Sequence, residues 1–271
     1  MRKAIRGDVK RELVWKAICG SAVAVALILF PPGALAQGGP PLITDDPDTP
    51  GPGYWEINLA GIVEKSPGDR RLEAPLADIN YGVGPRIQLK FEVPWLNVRE
   101  SGKPVQAGLG NSNVGVKWRF LGQEGQRIAW ATYPQVEVNT GRVMAEKGFV
   151  NEGSQFLLPT EVTIQVSRLE INGEVGRNFV QNGDDGWIFG IATEVEFDRG
   201  FELVGELSGA STAELIVNVG ARKKMSRQIV LLTAAGRGVR GPADERLQLR
   251  LYIGLQLDLP NHYSLSQSTH P

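Results

Sequence analysis

Leu247-Gln248-Leu249-Arg250-Leu251-Tyr252-Ile253-Gly254-Leu255-Gln256-Leu257-Asp258 places hydrocarbon at every odd position and a polar, phenolic or glycine residue at every even one. Successive side chains of a strand point to opposite faces, so this stretch predicts a strand with one face of pure hydrocarbon and one polar face. Reading outward from it, the same period of two recurs in eleven earlier segments: 54–65, 72–81, 86–98, 113–120, 127–139, 155–166, 169–179, 186–197, 201–208, 213–223 and 228–236. The last runs over 246–259. Turn formers such as Gly82-Val83-Gly84-Pro85 separate them. The expectation is an all-β chain, an antiparallel transmembrane β-barrel of about twelve strands.

The N-terminus reads as an export signal. Arg2, Lys3, Arg6, Lys10, Arg11 and Lys16 precede an apolar run from Ala17 to Phe30, and Ala34-Leu35-Ala36 offers a small-x-small cleavage site before Gln37. The run is shorter than the ~20 residues of an ordinary spanning helix, and no later stretch reaches that length. Removing residues 1–36 takes away six basic and two acidic residues and leaves 23 and 28, a net charge of −5. The only cysteine, Cys19, leaves with the leader, so the mature part has no disulfide and no thiolate chemistry. An acidic exported chain is a poor nucleic-acid binder. The predicted organisation is a signal peptide over 1–36, a turn-rich N-terminal segment over 37–53, a barrel over 54–259 and a polar tail over 260–271.

Alternation alone does not say which face is inside, because lipocalin-like barrels and sandwiches alternate too. Three features favour hydrocarbon outward. Aromatics gather near strand ends on the apolar face, among them Trp55, Tyr81, Trp95, Trp118, Trp130, Phe156, Trp187 and Phe197, as in a membrane girdle. Glycines and charges share the other face. Tyr252-x-Gly254-x-x-Leu257-x-Leu259 resembles the C-terminal signal read by the outer-membrane assembly machinery, though it lacks a terminal aromatic and the chain continues to Pro271. An even strand count with alternating short and long connections fits as well. Pro75, Pro94, Pro134 and Pro159 fall inside predicted strands and imply bulges or kinks, since proline cannot donate to a ladder.

Pro41-Leu42-Ile43-Thr44-Asp45-Asp46-Pro47-Asp48-Thr49-Pro50-Gly51-Pro52-Gly53-Tyr54-Trp55-Glu56-Ile57-Asn58 resembles the start of the outer-membrane family described as meta-pathway of phenol degradation or transporter proteins. Asp78-Ile79-Asn80-Tyr81-Gly82-Val83, Gln88-Leu89-Lys90-Phe91-Glu92-Val93-Pro94-Trp95, Gly115-Val116-Lys117-Trp118-Arg119-Phe120 and Asn172-Gly173-Glu174-Val175-Gly176 extend the resemblance over nearly all the mature chain. It implies an outer-membrane barrel passing aromatic or other small hydrophobic compounds, and brings no catalytic or binding residues with it.

Strand parity assigns Glu56, Glu64, Asp78, Glu92, Glu137, Glu161, Glu170, Glu174, Glu194, Glu196, Glu202, Glu206, Glu214 and Asp258 to the lumen, with Lys90, Lys117, Arg119, Arg222 and Arg250 as the bases. A ring of carboxylates in a low-dielectric wall would prefer cations; an ion-paired interior that only stiffens the barrel is the other reading. Asp45, Asp46 and Asp48 lie in a stiff stretch that would fold into the lumen and meet luminal Arg or Lys. A calcium site there lacks the spacing of an EF-hand loop. His262 and His270, the only histidines, follow the last predicted strand, so neither a Ser-His site nor a histidine metal site is expected. Glu194 and Glu196 share a face but are more simply luminal. The expected function is passive transport of small molecules, aromatic or hydrophobic compounds or cations, without enzymatic activity or cofactor. The alternative is a closed-lumen structural or ligand-binding barrel using loops such as 140–154. Expected partners are outer-membrane lipid, lipopolysaccharide and the assembly machinery, with no nucleic acid.

Overall fold

The computed structural model describes residues 39–260 apart from 124–125, 151, 182, 212–214 and 244–245. The predicted leader, the tail with His262 and His270, and Glu214 lie outside the described residues. The strand segments are β1 (Tyr54–Ser66), β2 (Asp69–Val83), β3 (Ile87–Glu100), β4 (Gln106–Leu109), β5 (Ser112–Leu121), β6 (Ile128–Thr132), β7 (Gln135–Val138), β8 (Gln155–Val166), β9 (Leu169–Val180), β10 (Gly186–Phe197), β11 (Phe201–Ala210), β12 (Leu215–Lys224), β13 (Ile229–Arg240) and β14 (Leu249–Pro260). Each pairs antiparallel with its neighbours, and β1 meets β14 from Tyr54↔Pro260 to Lys65↔Leu249, which closes the sheet. β4 and β5 lie end to end along β3, and β6 and β7 lie end to end between β5 and β8. The fourteen segments therefore make a closed barrel of twelve strands.

Hydrocarbon is on the outside. On β14, Leu249, Leu251, Ile253 and Leu255 are exposed while Arg250, Tyr252, Gly254 and Gln256 are buried. Across the wall, Asn58, Asp78, Lys117, Glu161, Glu194 and Asn218 are buried, and Leu89, Phe91, Trp118, Phe189 and Leu203 are exposed. At ~25 cal/mol per Å² such an exterior is costly in water and stable only against lipid. Two aromatic bands edge it. Near the short turns are Trp55–Tyr81 (centroids 4.6 Å apart), Trp118–Phe120–Trp130 and Phe197–Phe201; near the longer loops are Phe156–Phe179 and Trp187.

Three details depart from the expected boundaries. The stretch between the predicted strands 86–98 and 113–120 contains β4, the predicted strand 127–139 breaks at Tyr133-Pro134, and β2 shifts register between Glu73 and Leu76, around Pro75. The breaks do not open the wall. Gly110 N–H donates to Pro94 O at 2.9 Å, Val116 N–H to Pro134 O at 3.0 Å and Tyr133 N–H to Pro159 O at 3.2 Å. Residues 139–150 fold into the barrel mouth through the short helix α1 (Arg142–Ala145): buried Met144 packs on the inward-facing Leu96 and Val98, and Arg71 donates to Phe149 O at 3.1 Å.

Candidate functional site: a lumen occupied by the N-terminal segment

Residues 39–50 run inside the barrel and are held from opposite walls. On the β11–β12 side, Arg222 donates from Nε to Pro40 O and from a terminal nitrogen to Gly39 O, each at 3.0 Å, and its third nitrogen pairs with Glu194. Glu206 accepts the N–H groups of Ile43 and Thr44, each at 2.8 Å, and Asn218 steadies the carboxylate from the next strand. Glu174 on β9 accepts the Asp45 N–H at 2.9 Å. Leu42 packs on Ala192 and Val204. Wall carboxylates thus read the segment's amide hydrogens, donors that a chain leaving water must satisfy somewhere.

The β5 side reads the segment's own carboxylates. Lys117 Nζ donates to Asp45 Oδ1 at 2.8 Å and to the Asp46 carbonyl, with Glu161 at 3.6 Å and the Tyr133 ring beneath it. Arg119 pairs with Asp48 at 2.6 Å and also donates to Pro85 O. Asp46, held off Lys117 at 4.0 Å, has its carboxyl pushed up to about 6 by burial, against the pull of Lys117 and helped by Asp48 and Asp45. Two glycines make room. A Cβ on Gly190 would meet Thr44 Oγ1 at 2.2 Å, and one on Gly82 would meet the Gly51 carbonyl oxygen at 1.8 Å.

The remaining luminal candidates sit beyond this network. Lys90 bridges Asp78 (3.4 Å) and Glu92 (3.0 Å), and Glu56 accepts from Asn58 at 3.1 Å. At the loop end Arg250 pairs with Glu64 (3.2 Å), and Glu137 accepts from Asn111 and Gln155, both at 2.9 Å. Asp45 and Asp48 are directed at bases, and among the described residues no cluster of three His, Cys, Asp or Glu is arranged to hold a metal ion.

The segment divides the interior unequally. Beside Asp45, Asp46 and Asp48 a space of about 40 Å³, lined by Glu56, Asp78, Lys90 and Tyr133, is no larger than a few waters. Toward the loops a vestibule of about 550 Å³ opens over Ile43, Thr44 and Asp45. Its wall mixes Leu157, Ile188, Ile216 and Leu247 with Glu64, Lys90 and Glu174. These aliphatics, and Ile62, Leu76 and Leu232 clustered around Ala60, Ala234 and Tyr252, add an apolar part to the interior expected to be polar. Their signal was the parity of Ile62 and Leu232 with polar neighbours on the same strands.

No family model matches the chain, and no curated protein matches it. Solved structures do. The COG4313 outer membrane channel from Pseudomonas putida F1 superposes with a TM-score of 0.63 at 11% identity, covering 82% of this chain and 100% of that one. The KdgM porin superposes with a TM-score of 0.56 at 12% identity, covering 75% of this chain and 99% of its own. NanC porin also gives 0.56, at 8% identity, covering 75% and 100%. At these identities the likeness is one of fold. The chain is a closed twelve-stranded β-barrel similar in fold to outer-membrane channels and porins.

Proposed function

We propose that this protein is a passive, non-enzymatic channel of a bacterial outer membrane, whose internal segment 39–50 regulates passage of small molecules. The observation that carries the reading is the vestibule that ends on that segment: an open chamber on one side, and a water-sized space on the other. A solute larger than water passes only when the segment yields. C-terminal strand β14, with its unbroken apolar face, suits recognition by the outer-membrane assembly machinery.

The vestibule also supports a solute class. Aliphatic side chains with a few convergent polar groups favour amphiphilic molecules of modest size over sugars. Carboxylates outnumber bases around them, which favours neutral or cationic polar ends over carboxylates. This agrees with the aromatic and hydrophobic compounds implied by the meta-pathway resemblance and adds a charge preference to it.

Swelling of liposomes containing the refolded chain tests the reading. Benzylamine and benzyl alcohol are expected to enter faster than benzoate and faster than a sugar of similar mass. Equal entry of all four overturns the solute class. A correctly inserted barrel that admits none, even after the segment is displaced, favours the closed-lumen alternative.

A further inference from the structure

The outer wall carries four bases that the lumen does not explain. Lys65 on β1, Arg70 on β2 and Arg99 on β3 lie directly opposite one another in the ladder, Lys65↔Arg70 and Arg70↔Arg99. All three are exposed and share the parity of the lipid-facing Val63 and Trp95. Arg237 on β13 joins the row one strand past Leu249, by the register of Gly236 with Arg250, and it is exposed too. Like charges facing each other across a ladder repel. Inward bases on the same part of the wall are neutralised, Arg71 by Glu73 at 2.9 Å and Arg250 by Glu64 at 3.2 Å. Among the described residues none of the four outward bases makes an ion pair.

Below the Lys65 and Arg237 end of this row, toward the middle of the apolar band, the wall is hollow. Gly61, Ala221, Thr233 and Ala235 leave a groove of about 570 Å³ between Val63, Val219, Leu251 and Ile253. Ile253 faces Gly61 and Thr233, and Val219 faces Gly205 and Ala235, which is why both are 63% exposed. The Thr233 hydroxyl turns back to donate to Ala221 O at 3.3 Å, and the groove presents mainly hydrocarbon.

We infer that this face binds a lipid carrying two phosphates, with an acyl chain in the groove and the phosphates on the row Arg99–Arg70–Lys65–Arg237. The bases supply the charge complement, and the groove beneath Lys65 and Arg237 requires an anion attached to hydrocarbon. Four inter-strand steps at ~4.8 Å separate Arg99 from Arg237, a span of roughly 19 Å that exceeds one phosphate group. The row lies at the loop end of the barrel, so the lipid is a phosphorylated glycolipid of the outer leaflet. The inference rests on the transmembrane barrel and not on the channel reading.

Binding of lipid A to the full mature chain in detergent, followed by native mass spectrometry, tests it. Bis-phosphorylated lipid A should bind at least tenfold more tightly than its dephosphorylated form, and the triple variant K65Q/R70Q/R99Q should lose that difference. Gly61→Leu with Ala235→Leu fills the groove and should weaken lipid A binding while leaving heat-modifiable gel mobility and bilayer conductance unchanged. Equal binding of the dephosphorylated lipid, undiminished binding by the triple variant, displacement by millimolar inorganic phosphate, or equally tight phosphatidylglycerol binding would each overturn the assignment.

Discussion

Lys117 on β5 holds Asp45 at 2.8 Å across 72 residues of sequence, and both the lysine and the Glu161 behind it are sealed from solvent. The pair joins the internal segment to a buried base of the barrel wall. Removing one partner of a buried ion pair costs about 3–5 kcal/mol, because the other charge is left uncompensated.

Lys117→Met should therefore release the segment. The docked population falls more than a hundredfold by the same magnitude, and single-channel records should change from brief to sustained openings. The Lys117→Met/Glu161→Gln double variant removes the stranded wall carboxylate and should restore barrel stability without restoring docking. Recovery of brief openings in the double variant would assign the effect to the wall.

Glu206 accepts two amide hydrogens of the segment, from Ile43 and Thr44. Bonds to a charged acceptor are worth about 1 kcal/mol or more beyond neutral ones, so Glu206→Gln should weaken docking about five- to thirtyfold. Trypsin access to a site engineered into residues 39–50 measures it. The same substitution at Glu137, far from the segment, should leave that access unchanged.

Gly190 tests shape without charge. A side chain there collides with Thr44 Oγ1, so Gly190→Val should displace the segment, and Thr44→Gly should restore it by deleting the colliding atoms. Both variants should keep the heat-modifiable mobility of a folded barrel. Failure of Thr44→Gly to rescue would mean the valine acts on the strand instead.

Asp46 gives docking a pH dependence of defined sign. Its docked value of about 6 lies above the ordinary 3.8, so the neutral form is favoured inside the barrel. Its contribution is complete below about pH 4 and is lost as pH rises through about 6. Asp46→Asn should dock at least as tightly as the wild type near neutrality and flatten this part of the pH profile of open probability. A looser segment in the Asn variant at neutral pH contradicts the assignment.

Much of the wall was legible because a strand's period of two fixes which face each side chain takes. Lys117, Arg119, Glu206 and Arg222 fall on the inner face by parity alone, and the carboxylates of 45–48 in a proline-stiffened stretch suggested contact with them. Parity does not reveal what crosses the lumen, so the partner of each base, and the backbone contacts of Glu206 and Arg222, needed three dimensions. The weak alternation of 72–81 has a specific cause. Leu72 opposite Val63 faces lipid while Leu76 opposite Ala60 faces the lumen, because the register shift around Pro75 flips the face within one strand. β4 escaped notice because Gln106-Ala107-Gly108-Leu109 is too short and glycine-containing to alternate clearly.

Single-channel conductance in a planar bilayer, under a salt gradient, compares the chain from residue 37 onward with the same chain lacking residues 39–50. Small, brief openings are expected of the longer chain and large, sustained, cation-selective steps of the shortened one. Identical conductance in the two chains would contradict the proposed function, because the internal segment would then have no bearing on passage.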